Sequence, residues 1–183
     1  MHTLVLGGIR SGKSAYAERL VGDAERVTYL ATATDRPGDA EWAARLEAHR
    51  RRRPDGWRTR ECGDQPGMLP RLLREARPGD TLLVDDLGGW ITAWYDAAGW
   101  RDGATDAPIA ELSAALAGSP ATVVLVSPEV GLSLVPDNRA GRRFADALGS
   151  ANRAVADVCD RVALVVAGQP LWIKSGAASN LSP

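Results

Sequence analysis

Cysteine and histidine are scarce in this sequence. The two cysteines, Cys62 and Cys159, form no CxxC pair, which excludes a disulfide scaffold and a cysteine-rich zinc site. The two histidines, His2 and His49, leave too few ligands for a histidine-based metal centre. Long apolar runs are missing as well. The longest charge-free stretch, residues 112–128, is broken by Gly118, Ser119 and Pro120, so no membrane span is expected. The N-terminus lacks the basic start and long apolar core of a signal peptide. A charge excess is also absent: the net charge is −1, against a globally basic nucleic-acid binder. These absences lead us to expect a cytoplasmic enzyme or binding protein with no nucleic-acid partner.

What is present is an ordinary globular mixture, 45% apolar and 25% charged over 183 residues, the size of one domain. Buried-strand runs recur at residues 3–6, 27–31, 81–85, 121–127 and 161–167, with a shorter alternating run at 57–62 and a further one at 171–173. Helical spacing fills residues 13–21, 39–52, 70–76, 87–95, 108–116 and 138–157. The last of these carries Phe144, Leu148, Ala151 and Val155 on one stripe. Residues 97–107 read as a surface loop. Continuous Val/Leu strands alternating with helices predict an α/β domain with a mostly parallel central sheet. We place it over residues 1–174, with a flexible tail over 175–183.

Gly7-Gly8-Ile9-Arg10-Ser11-Gly12-Lys13-Ser14 fits the phosphate-loop pattern GxxxxGK[ST]. Its glycines allow a nest of backbone N–H groups around phosphate oxygens, and the following helix adds its positive end. Lys13 would reach the β- and γ-phosphates of a bound nucleotide, and the Ser14 hydroxyl would bind Mg²⁺. A hydrophobic strand before the loop and a helix after it supply the context the pattern needs. Asp85 closes its strand where such proteins hold the metal. Asp85 or Asp86 could instead cap the helix that follows.

His49 lies in Glu47-Ala48-His49-Arg50-Arg51-Arg52-Arg53-Pro54, on a helical stripe with Trp42 and Leu46. It can be read as a core-edge residue beside a solvated helix end. It can also be read as a nucleophile, kept neutral by nearby arginines that stabilise a transferred nucleotidyl group. A third reading takes Arg50, Arg51, Arg52 and Arg53 as a nucleic-acid phosphate patch.

Several ordered motifs together resemble the bifunctional adenosylcobinamide kinase / adenosylcobinamide-phosphate guanylyltransferase family of cobalamin biosynthesis. They are the phosphate loop with its Arg10-Ser11 pair, Tyr29-Leu30-Ala31-Thr32-Ala33, Arg45-Leu46-Glu47-Ala48-His49-Arg50, Trp57-Arg58-Thr59-Arg60-Glu61, Glu129-Val130-Gly131, Val135-Pro136, and Val165-Val166-Ala167-Gly168-Gln169-Pro170. The resemblance implies a RecA-like P-loop fold and a homotrimer. It implies phosphorylation of adenosylcobinamide, then GMP transfer from GTP through a guanylyl-histidine at His49. By the same resemblance, nucleotide contacts fall on residues 7–14, on Ala31, Thr32 and Ala33, on Arg50 to Arg53, and on Glu61 and Asp85. The chain departs from the family pattern in four places. Asp85-Asp86-Leu87-Gly88 stands where Asp-Cys-Leu-Thr is usual, Pro128 replaces a polar residue, Ala145 replaces an arginine, and residues 97–107 do not match. Without the histidine step the chain would be a simple P-loop kinase; without chemistry, a nucleotide-responsive binding protein.

Overall fold

The computed structural model describes residues 1–22, 24–34, 38, 44, 47, 51 and 53–176. The helix expected over 39–52 lies outside the described residues except at isolated positions, as does most of the expected tail. Seven strands are described: β1 (His2–Gly7), β2 (Val27–Ala31), β3 (Arg58–Glu61), β4 (Thr81–Asp85), β5 (Thr122–Pro128), β6 (Arg161–Val166) and β7 (Gln169–Lys174). The described helices are α1 (Lys13–Val21), α2 (Met68–Glu75), α3 (Leu87–Ala98), α4 (Asp106–Ala117) and α5 (Arg139–Val158). The strands form one sheet in the order β3-β2-β4-β5-β1-β6-β7. Every pairing is parallel except β6 with β7. The expected α/β architecture with a mostly parallel sheet is the one observed.

The strand sequences sort their side chains between two helical layers with a period of two. Leu4 and Leu6 of β1, Leu82 and Val84 of β4, and Val123 and Leu125 of β5 join α2 to α5 in the larger core. Val5, Leu83, Val124 and Val126 point the other way, onto Tyr16, Ala17 and Val21 of α1. Burial on both faces explains why these strands read as unbroken apolar runs. Each fully buried Leu or Ile contributes about 1.5–3 kcal/mol. Trp90, the largest fully buried side chain among the described residues, donates its indole N–H to the Pro66 carbonyl at 2.8 Å. On α5 the expected stripe faces the core, with Leu148, Ala151 and Val155 buried and Phe144 half-buried.

The expected loop over 97–107 is shorter than its composition suggested. Helix α3 continues through Ala98 to Gly99, whose left-handed φ of 64° ends it. Helix α4 begins at Asp106, an acid favoured in the first turn by the helix dipole. Both cysteines are buried and free. Burial pushes the Cys62 thiol up to about 11 and that of Cys159 to about 12, as suits inert core residues. Among the described residues no helix is long and apolar enough to cross a membrane.

Candidate active site

Parallel strands deliver their C-terminal ends to one edge of the sheet, and the loops leaving that edge build the site. The loop after β1 folds back tightly. The Ser11 N–H donates to the Gly8 carbonyl at 3.2 Å, and the Lys13 ammonium reaches the same carbonyl at 3.4 Å. Arg10 and Gly12 adopt left-handed φ angles of 57° and 91°. Gly12 begins α1 without a side-chain cap of its own, and the first turn holds no acid, so this helix end suits an anion; its Lys13 N–H donates to the Ser11 Oγ at 3.3 Å.

The loop rests on two neighbours. The Glu129 N–H donates to the Gly7 carbonyl at 3.0 Å, and the Gly168 N–H to the Ser11 carbonyl at 2.8 Å. Gly168 lies in the two-residue turn between β6 and β7, where both Ala167 and Gly168 have positive φ. A Cβ on Gly12 would lie 3.2 Å from the Gly168 Cα. This close approach, with a φ of 91°, is the physical reason for glycine at position 12; at position 168 the reason is the left-handed φ of 79°.

Strand register aligns several expected residues. Glu61 pairs with Ala31, Ala31 with Asp85, and Asp85 with Val126, in one row at the C-terminal edge. Asp85 faces the phosphate loop: its Oδ1 accepts from the Ser14 hydroxyl at 3.2 Å. Its Oδ2 accepts from the Tyr29 hydroxyl at 2.6 Å. Asp86 takes the other role left open by the sequence. It caps α3, accepting from the Gly89 N–H at 2.8 Å. Burial, followed by the charge of Asp85, pushes the Asp86 carboxyl up to about 6. Thr32, wholly buried, donates its hydroxyl to the Asp86 carbonyl at 2.5 Å, so it braces the backbone there.

Two departures from the family pattern meet in space. A Cβ on Gly88 would lie 3.0 Å from Cγ of Pro128. The proline ring and the Asp86 carboxylate together border the space that a side chain at position 88 would enter.

Of the arginine run, Arg51 is exposed and pairs with Glu47 at 3.0 Å. Arg53 turns inward, its guanidinium 3.4 Å from the Tyr29 ring centroid and 3.3 Å from the Thr59 hydroxyl. His49, Arg50 and Arg52 lie outside the described residues. Ile9 and Glu61 are exposed, and Ala33 packs its carbonyl against Gly63. Sequence reasoning missed Tyr29 as a site residue; its place two residues before Ala31 on a buried strand was the available signal.

The sequence profile of a family described as cobinamide kinase / cobinamide phosphate guanyltransferase (CobU) matches residues 3–173. The chain belongs to this family. The bifunctional adenosylcobalamin biosynthesis protein CobU of Salmonella typhimurium is 40% identical, across 95% of this chain and all of its own length. The protein CobP of Pseudomonas aeruginosa, also named a bifunctional adenosylcobalamin biosynthesis protein, is 42% identical across 95% of this chain and 98% of its own. A solved ATPase from a type III secretion system of pathogenic bacteria aligns with a TM-score of 0.54 at 11% identity. That alignment covers 89% of this chain and 50% of the ATPase, and it supports the P-loop fold alone. For a CobU family member, the phosphate loop and its contact with Asp85 take their place in a nucleotide-dependent transferase.

Proposed function

We propose that this chain carries both reactions of its family. In the first, the hydroxyl oxygen of adenosylcobinamide attacks the γ-phosphorus of ATP or GTP, and the nucleoside diphosphate leaves. In the second, an imidazole nitrogen of His49 attacks the α-phosphorus of GTP, and the bond to the β-phosphate breaks to release pyrophosphate. The cobinamide phosphate oxygen then displaces the imidazole, giving adenosylcobinamide-GDP. Support for His49 as the carrier comes from its motif and from family membership. Lys13 and the loop amides hold the triphosphate, and arginines of residues 50–53 balance charge at the transferred group.

The observation that carries the nucleotide part is the Ser14–Asp85 contact beside the loop. A hydroxyl and a carboxylate are hard oxygen donors, and Mg²⁺ is held by one or two such groups plus phosphates and water. The residues present therefore fit Mg²⁺, which when bound neutralises charge on the phosphate oxygens. By the same resemblance we propose a cytoplasmic homotrimer.

GTP labelled at the α-phosphate tests the assignment. The expected result is an acid-labile label retained through denaturation in wild type and lost in His49→Ala. A wild-type protein that binds GTP yet takes up no label refutes the transferase half and leaves a simple kinase.

A further inference from the structure

We propose that Tyr29 is a positioning residue. Its hydroxyl turns the Asp85 carboxylate toward Ser14, while its ring face seats Arg53, so one side chain anchors both the metal site and the arginine run. The inference rests on the metal-site reading above and extends it to a residue not yet given a role.

Sheet geometry produces the arrangement. Val27 and Tyr29 of β2 and Leu83 of β4 share the α1 face of the sheet, and Asp85 follows Leu83 in phase. Tyr29 pairs with Leu83, which makes Asp85 its diagonal neighbour, within reach of a long aromatic side chain. Ala31, directly opposite Asp85, is small and leaves the path open. Tyr29 is only 2% exposed, and its hydroxyl meets Oδ2 at 2.6 Å, a length typical of a charge-assisted bond. Carboxylate torsion is otherwise broad and nearly two-fold. Holding Oδ2 leaves Oδ1 facing the Ser14 hydroxyl at 3.2 Å.

On the other side of the ring, Arg53 stacks at 3.4 Å and bridges to Thr59, the residue that pairs with Tyr29 across β2 and β3. Arg53 follows His49 by four residues. The backbone between their two Cα atoms therefore spans at most about 14 Å. The line Ser14–Asp85–Tyr29–Arg53 therefore joins the phosphate loop to the segment that carries the histidine.

Binding of Mn²⁺, in place of Mg²⁺, to the protein with a non-hydrolysable GTP analogue is read by electron paramagnetic resonance. Tyr29→Phe keeps the ring and loses the hydroxyl. It is expected to weaken Mn²⁺ binding roughly ten- to a hundredfold, as removal of a group that orients a metal ligand does. Affinity for the analogue without metal should stay at the wild-type value. Tyr29→Leu removes the ring as well, and should lose α-phosphate labelling even at saturating metal, where Tyr29→Phe recovers it. Unchanged Mn²⁺ affinity in Tyr29→Phe overturns the proposal. Equal weakening with and without metal also overturns it, because that is the mark of a merely structural residue. Equal labelling by the two variants refutes the Arg53 arm. If wild type binds the analogue no more tightly with Mn²⁺ than without, the metal-site reading itself fails and the Tyr29 inference falls with it.

Discussion

Asp86 offers the sharpest test of the electrostatics at this sheet edge. Its carboxyl is raised from 3.8 to about 6, first by burial and then by Asp85, against the opposing pull of the Gly89 and Gly88 amides and Lys13. A raised carboxyl favours the protonated form in the folded state. Its contribution to stability is fully present below the unfolded value near 3.8 and is lost as pH rises through about 6. The full loss at neutral pH is about 3 kcal/mol, and roughly half of it falls between pH 5 and pH 7. Because the two aspartates interact, the midpoint belongs to the pair. Asp86→Asn keeps an oxygen for the Gly89 N–H and removes the ionisation, and Asn is itself a good helix cap. Urea unfolding of metal-free protein at pH 5, 6, 7 and 8 is the assay, since a bound cation would favour both ionised carboxylates. The variant should gain on wild type by about half of the full amount between pH 5 and pH 7. Parallel curves for the two proteins, with equal m values, would refute the reasoning.

Two further outcomes follow from packing. Gly88→Thr would drive a side chain into Pro128 and is expected to cost about 1–3 kcal/mol; adding Pro128→Ser should recover most of the loss, and strictly additive losses in a double-mutant cycle would contradict the contact. Buried Asn152 accepts from the Ser127 hydroxyl at 2.5 Å and donates to the Pro128 carbonyl at 3.0 Å. Asn152→Ala strands both partners and should lower stability by about 2–3 kcal/mol in denaturant unfolding, with Ser127→Ala costing less.

The strands and helices were legible because burial on two faces writes itself into the sequence as uniform Val/Leu runs. The run TLLVD reads directly as β4, and α1 follows the phosphate-loop glycines without ambiguity. Loop composition misled at residues 97–107, because alanine and aspartate at helix ends look like loop when the Gly99 stop is not recognised. At the site, local pattern named Ser14 and Asp85 for the metal because Asp85 closes its strand, but it left the cap of α3 to either Asp85 or Asp86. The Gly89 N–H, donating to Asp86, decides the cap, a contact seen only in three dimensions. Tyr29 and Gly168 were missed because each acts through a residue distant in sequence. The Gly88 and Pro128 departures looked independent in sequence and are neighbours in space.

The position of β1 in the sheet has a consequence for synthesis of the chain. Its hydrogen-bonded neighbours are β5 and β6, which begin at Thr122 and Arg161. At roughly 5–20 residues per second, the ribosome needs several seconds after making β1 to supply even the first of them. The turn that supports Ser11 comes later still, at Gly168. Until β5 is made the strand before the glycine loop has no partner, and until Gly168 is made the loop lacks its contact at Ser11. The nucleotide cradle is encoded first and completed last, so nascent chains lacking β6 are not expected to capture the cell's abundant triphosphates.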